Sequence, residues 1–244
     1  MNDNTASSKA SNNVDMPSLI LLAGLDLRSN LSNVIAYSEI LLKEKVGTLN
    51  EQQKTFVQSI QKSGQRLARF ENMLTTLARI ETKTSIEIET VDILECIQEG
   101  IKRLSQHIEA KGQETIVEFT DKSPLVSANA YYLEKSIFFI VSNAHQYSPK
   151  DSRIRINTEV VNNEVKVTIS DTGIGISLDD QERIFDVAFR VNHPVVMKHN
   201  GLGTNLYFAK YYIEYFGGNI GIESIVDEGS KFWFTIPIAA TEKI

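Results

Sequence analysis

The sequence predicts an α+β protein in two parts: a helical hairpin that forms a dimeric four-helix bundle, followed by an α/β sandwich. Three patterns carry that expectation. Across residues 17–81, apolar side chains recur at helical spacing in two long runs separated by a short break. After "KTSIEIETVD" strands and helices intermix, as they do when one helical layer packs on one sheet. Within that second part, "SDTGIGIS" (170–177) ends an alternating strand in an aspartate and two glycines, a turn that another molecule can approach closely.

Taken in order, the first fifteen residues are small and polar and read as a flexible tail, with segment bounds 1–16 for the tail, 17–84 for the hairpin and 85–244 for the sandwich. Residues 17–45 form the first helix. Leu27, Leu31, Val34 and Leu41 share one stripe, Ser38 fills one turn of it, and Pro17 suits a first-turn position. "VGTLN" breaks the helix at Gly47, and Asn50 is the N-cap of the next. Along residues 51–81, Phe56, Ile60, Ser63, Leu67, Phe70, Leu74 and Leu77 alternate in steps of four and three, a heptad seam. One hairpin has too little core to stand alone, so pairing with a second copy is expected.

In the sandwich, Asp92 followed by Glu95 reads as a capping box opening a helix to about Ala110. "TIVEFT" is a strand, and "NAYYLEKSIFFIVSNAHQYS" a largely buried helix. "RIRINTEVV" and "EVKVTIS" form a hairpin around Asn162 and Asn163. After the glycine turn, an irregular stretch runs to about residue 200. The helix "NLYFAKYYIEYF" then stops at Gly217 and Gly218, and two strands flank "DEGS".

Composition narrows the partners. Hydrophobic residues make up 42% of the 244, enough for a core, and the net charge of −6 without a basic patch argues against nucleic acid. The single cysteine, Cys96, lies on the apolar side of a helix and reads as a buried small hydrophobe. With no second cysteine there is no intrachain disulfide, which fits a reducing, cytoplasmic compartment. No apolar run is long enough to cross a membrane; "MPSLILLAGL" comes nearest, without the charged leader of a signal peptide, so no membrane insertion is expected.

Four separated pieces carry chemistry: "SNAHQYSP" with Asn143 on a helix; Asp171, Gly173 and Gly175 in the turn; "IFDVAFR" with Phe185, Phe189 and Arg190; and "NGLGTNL" with Gly201 and Gly203 opening a helix. In this order and spacing they resemble the asparagine, first glycine, phenylalanine and second glycine boxes of the histidine kinase ATP-binding domain. That domain belongs to the GHKL (Bergerat) class shared with gyrase, heat-shock chaperone and mismatch-repair ATPases. An aspartate at a strand end can accept a hydrogen bond from the adenine amino group. Glycines before a helix offer backbone N–H groups to phosphates. The resemblance implies that ATP or ADP is held by Asn143, Tyr147, Asp171, Gly173, Gly175, Arg190, Gly201, Gly203 and Leu206, with Asn143 meeting Mg2+.

Residues 17–81 are similar to the dimerisation and phosphotransfer hairpin of the same kinases, whose first helix carries Ser-His-Glu-Leu-Arg-Thr-Pro-Leu. This chain reads "GLDLRSNL", with Leu27, Arg28 and Leu31 fixing the register. Leu25 stands at the histidine, Asp26 at its acidic neighbour and Asn30 at the proline. Leucine has no lone pair and cannot attack a phosphoryl group. The four histidines, His107, His145, His193 and His199, all lie in the sandwich. One turn before Asn143, where related ATPases place glutamate and kinases asparagine, stands Phe139, which neither activates water nor orders Mg2+. Gln146 replaces a frequent lysine, and Asn205 the third glycine of the last box.

The resemblance therefore implies a two-component signalling protein of the pseudokinase kind. It would bind nucleotide, form a homodimer, and regulate a receiver domain or another histidine kinase by contact. Two enzymatic readings stand beside it. One is a phosphatase for an aspartyl phosphate, using Asp26 and Ser29, which keep the acid and hydroxyl three residues apart; the other is a kinase acting in trans on a partner's histidine.

Overall fold

The computed structural model describes residues 16–82, 85–119, 124–199 and 201–240. The tail expected over 1–16 lies outside them except for its last residue. The chain divides into two compact units, Met1–Ser85 and Ile86–Ile244.

The first unit is a hairpin of α1 (Met16–Leu42) and α2 (Glu51–Glu81). Gly47, at φ +132°, turns the chain between them. Asn50 caps α2 reciprocally: its side chain accepts from Gln53 N–H at 2.9 Å, and Gln53 Oε1 accepts from Asn50 N–H at 2.9 Å. The helices meet through small residues. A Cβ on Gly24 would strike Thr75, and one on Gly64 would lie 3.2–3.3 Å from Ile35 and Val34. Gly24, Ser38, Gly64, Glu71, Thr75 and Ala78 are buried there. The buried Glu71 carboxylate is met by Arg28 at 3.1 Å.

This contact face differs from the stripes that periodicity picks out. On α2 the seam runs one residue ahead of the contact face, about 100° round the helix, and Phe56, Ile60, Leu67 and Phe70 are exposed. On α1, Leu27 and Val34 are exposed while Leu31 and Leu41 are half-buried. The small residues close the hairpin and leave the large ones outside it. One expectation changes here: Leu19–Leu42 is, by length and composition alone, long and apolar enough to cross a membrane, a test that core helices of soluble proteins also pass. Asp26, Arg28 and Asn30 interrupt that stretch, so it does not show as an unbroken apolar run.

The second unit is a five-stranded sheet under one layer of helices. Strand order is β2 (Glu114–Phe119), β4 (Arg153–Val161), β5 (Glu164–Asp171), β7 (Gly229–Pro237), β6 (Ile220–Ile225); only β2 and β4 run parallel. Asn162 and Asn163, at φ 52° and 64°, make the tight β4–β5 turn. Ile154, Ile156, Val165, Val167, Ile169, Phe232, Phe234 and Ile236 are buried, alternating with polar or half-buried neighbours. Against the buried face pack α5 (Ala130–Tyr147) and α8 (Asn205–Tyr215), with α3 (Ile93–Lys102) on α5.

Three expectations need correction. The helix opened by Asp92 does not run on to Ala110. It ends at Lys102, turns at Arg103 and Leu104, and resumes as α4 (Ser105–Ala110). Asp92 does cap α3, accepting from Leu94 N–H at 2.7 Å. A second, two-stranded sheet of β1 (Glu89–Asp92) and β3 (Leu125–Ala128) was not expected. The stretch after the glycine turn also holds two short helices, α6 (Leu178–Gln181) and α7 (Pro194–Met197). Cys96 is buried, and burial pushes its thiol up to about 12.

Candidate functional site

The site is framed by the C-terminal half of α5, the end of β5, and the chain between β5 and α8. Asp171 is the last residue of β5, paired with Ser230 on β7. Its Oδ1 accepts from Gly173 N–H at 2.8 Å, which turns the backbone at the strand end. Gly173 is packed so closely that a Cβ would lie 2.8 Å from Asp171 Oδ1 and 2.9 Å from Tyr147 O. Gly175 sits at φ +63° against Ile225 O, where no side chain fits.

Burial raises the Asp171 carboxyl from 3.8 to about 6, against the opposing pull of hydrogen bonds from the Gly173 and Ser230 backbones. The Ser148 hydroxyl also favours the carboxylate. It is 4% exposed and lies beside Asp171 without a hydrogen bond of good distance and angle. A buried carboxylate and a hydroxyl without a hydrogen-bond partner thus lie side by side, a polar pair that can both accept and donate.

The glycine turn is anchored by the neighbouring β6–β7 hairpin. Ser224 Oγ accepts from Ile176 N–H at 2.8 Å and donates to Gly229 O at 2.7 Å. Gln181 Nε2 donates to Ile176 O at 2.8 Å and to Ser224 O at 3.0 Å, and Asp227 N–H donates to Ile174 O at 2.9 Å. Gly229, at φ +121°, lies against Asp171 O. Ser224, Gly229, Ser230 and Gln181 went unremarked in the sequence. The one available signal was the "DEGS" turn opening β7, which reads first as an ordinary hairpin.

Asn143 and Tyr147 lie one turn apart on α5, half-buried. Tyr147 meets the His199 ring edge-on at 5.8 Å, and burial raises its hydroxyl pKa, countered in part by Arg190. Arg190, expected near phosphates, donates here to the carbonyls of Val196 and, at 2.7 Å, His199. Gly203, at φ +70°, packs on the backbone of Ala188 and Phe189. Gly201 is open to solvent, and Leu206 is half-buried on the first turn of α8. The Arg183 guanidinium stacks on Phe189 with 4.5 Å to the ring centroid. Thus the Asp171 turn, Tyr147 and the Arg190 loop converge, whereas Leu25, Asp26 and Ser29 belong to the other unit.

A cluster of basic side chains borders the end of α5. Lys111 Nζ donates to His145 O at 2.6 Å and Gln146 O at 3.3 Å, satisfying helix-terminal carbonyls. His145 Nδ1 donates to Gln113 Oε1 at 2.6 Å. Burial, with Lys111 next, holds the pKa values of His145 and His199 below the ordinary histidine range, so both are neutral at pH 7.

The family described as "Histidine kinase-, DNA gyrase B-, and HSP90-like ATPase" matches residues 131–240, and that described as "His Kinase A (phospho-acceptor) domain" matches residues 26–83. The chain has a histidine kinase catalytic core, the hairpin and ATPase-type domain in their usual order. Among curated relatives, the non-motile and phage-resistance protein of Caulobacter vibrioides is 25% identical over 224 residues, covering 89% of this chain and 26% of that one. The adaptive-response sensory kinase SasA of Synechococcus is 28% identical over 218 residues, covering 87% and 57%. Sensor protein DivL of Caulobacter vibrioides is 26% identical over 213 residues, covering 87% and 27%. The chain thus spans between about a quarter and somewhat over half of the length of these relatives. Full-length ShkA, solved with AMPPNP, superposes with a TM-score of 0.73 at 22% identity, over 92% of this chain and 46% of that one. The histidine kinase AdeS of Acinetobacter baumannii gives 0.60 at 18%, over 87% and 97%.

Proposed function

We propose that this protein is a nucleotide-binding pseudokinase of two-component signalling, which forms a homodimer through its hairpin and regulates a partner by contact. The observation that carries the reading is Leu25. It is 64% exposed on α1, at the position where the resemblance places the phospho-acceptor, and it has no atom that can accept a phosphoryl group. The phospho-acceptor match begins at the next residue, Asp26.

Nucleotide binding is supported by the ATPase-type domain, by a relative of the same fold solved with AMPPNP, and by the enclosed Asp171 beside Tyr147. The partner of choice is a receiver domain, which in this family meets the acceptor region of the hairpin, or another histidine kinase. Dimerisation is supported by the exposed seam Phe56, Ile60, Leu67 and Phe70. A cytoplasmic location belongs to the same reading. Incubation with radiolabelled ATP, alone and then with a receiver protein, tests it: no label on the chain, together with measurable ATP binding, is expected. Phosphorylation of the chain itself would overturn it.

A phosphatase reading is favoured by one observation: Asp26 and Ser29 are both exposed on α1 three residues apart, with the spacing that could place a water. Accelerated loss of phosphate from a phosphorylated receiver, abolished by Ser29→Ala, would establish it.

A further inference from the structure

Two serines of the second unit show what a buried hydroxyl ordinarily does. Ser136 donates to Tyr132 O and Ser152 to Pro149 O, each at 2.8 Å. Ser148 departs from that pattern. Among the described residues, its Oγ is the buried side-chain polar atom without a hydrogen-bond partner. An unpaired buried hydroxyl carries the full cost of its lost hydration, so its presence calls for a use.

The backbone places it. Ser148 ends α5 as the C-cap, its N–H donating to Ala144 O at 3.2 Å, and Pro149 follows. The helix end is therefore closed without the hydroxyl. The peptide joining Tyr147 to Ser148 lies against Gly173, where a Cβ would be 2.9 Å from Tyr147 O and 3.1 Å from Tyr147 C. Gly173 N–H in turn holds Asp171 Oδ1 at 2.8 Å. Gly173 thus brings the end of α5 to the end of β5, and the Ser148 hydroxyl lies beside the Asp171 carboxyl, where it favours the charged form.

We propose that Ser148 is a positioning residue of the base site, whose hydroxyl turns onto the Asp171 carboxylate and holds it charged and aimed at the amino group of an adenine. This rests on the nucleotide-binding reading and deepens it. A hydroxyl hydrogen rotates to suit its acceptor, and a carboxylate offers about four acceptor sites. The Gly173 and Ser230 N–H groups and the Ser148 hydroxyl use three, which leaves the ligand a place. All three donors oppose the burial that disfavours the charge. The other titratable groups at this end of α5 are Tyr147, His145 and, from the loop, His199 and Arg190. Burial keeps the Tyr147 phenol protonated in this range, and the others act alike on wild type and variant.

The test is titration of the Asp171 carboxyl by carbon NMR in the whole, unliganded chain, beside calorimetry with adenosine at pH 6 and pH 8. Ser148→Ala should raise the Asp171 midpoint by about one pH unit from its wild-type value of about 6. It should weaken adenosine about fivefold more at pH 6 than at pH 8, as the ionised fraction of Asp171 falls. Ser148→Thr, which keeps a hydroxyl, should restore both. A midpoint that Ser148→Ala does not move, or an adenosine loss equal at the two pH values, overturns the inference and leaves the nucleotide reading standing; a role in packing alone would give that result. Failure of the wild type to bind adenosine at either pH overturns the nucleotide reading. A midpoint still moved by Ser148→Ala would then keep the hydroxyl's hold on Asp171 and remove only its ligand.

Discussion

At the proposed adenine site, the burial of Asp171 costs stability. Its carboxyl titrates near 6 in the folded protein, above its ordinary value of 3.8. A raised carboxyl contributes most to folding below pH 3.8, and that contribution is lost as pH rises through 6. At neutral pH the buried charge is therefore a liability that a bound base would offset. Asp171→Asn keeps the oxygen that accepts from Gly173 and removes the charge. The unliganded variant should melt a few degrees higher at pH 7, while losing about 1–3 kcal/mol of nucleotide binding from a mismatched hydrogen bond. Calorimetry and thermal melts check both halves; equal ATP affinity would remove the adenine assignment. In the wild type, ADP affinity should fall as pH drops below 6, by up to about tenfold per unit. Asp171→Asn should show no such fall. His145 and His199 gain charge in acid and pull the other way for phosphates, so adenosine, lacking phosphate, should show the steeper loss.

Among the elements, the hairpin is held by what it lacks. Gly24 faces Thr75 with no space for a side chain, so Gly24→Ala should force α1 from α2 and destabilise the hairpin by about 1–3 kcal/mol, read as a lower melting temperature. The exposed seam makes the opposite kind of prediction. Charged residues at both Leu67 and Leu74 should leave the hairpin folded by circular dichroism but give monomers by light scattering. An unchanged dimer mass would place the interface elsewhere. Long amphipathic helices, the Asn50 cap and the Asn162–Asn163 turn were legible because each is written within a few neighbouring residues. The seam was legible too, although it marked the free face of α2 and not its contact with α1. β1 and β3 were not legible: "ETVD" and "LVSA" are too short for alternation to show, and each is a strand only because the other pairs with it. The break at Arg103 has no glycine or proline to announce it. In the site, Asp171 and its glycines stand in one local run. The Ser224 and Gln181 supports bond across 48 and 43 residues, a distance no local pattern spans.

For the whole molecule, the decisive experiment tests the proposed loss of chemistry and asks whether it lies in one unit or in both. Leu25→His restores a nucleophile on α1, with Asp26 beside it to take the imidazole proton. Phe139 remains in the other unit, and the restored histidine should be labelled poorly or not at all by radiolabelled ATP. Strong labelling would show the ATPase-type domain to be intact, and phosphorylation of a partner's histidine would become the better description.

Arg190 has a consequence for how fast the molecule responds. Its guanidinium grips two backbone carbonyls of the loop it belongs to, those of Val196 and His199, and His199 in turn leans on Tyr147. These contacts latch the loop to itself and to α5. A latch of this kind sets a clock: entry waits for the carbonyls to let go, so the observed association rate should level off at high ATP instead of rising in proportion. Arg190→Ala should remove that plateau in stopped-flow traces and speed both arrival and departure, changing the occupancy much less than the rates. On the contact-signalling reading proposed above, the time the protein stays in one state after ATP levels change would then depend on one arginine that holds a loop and not a phosphate.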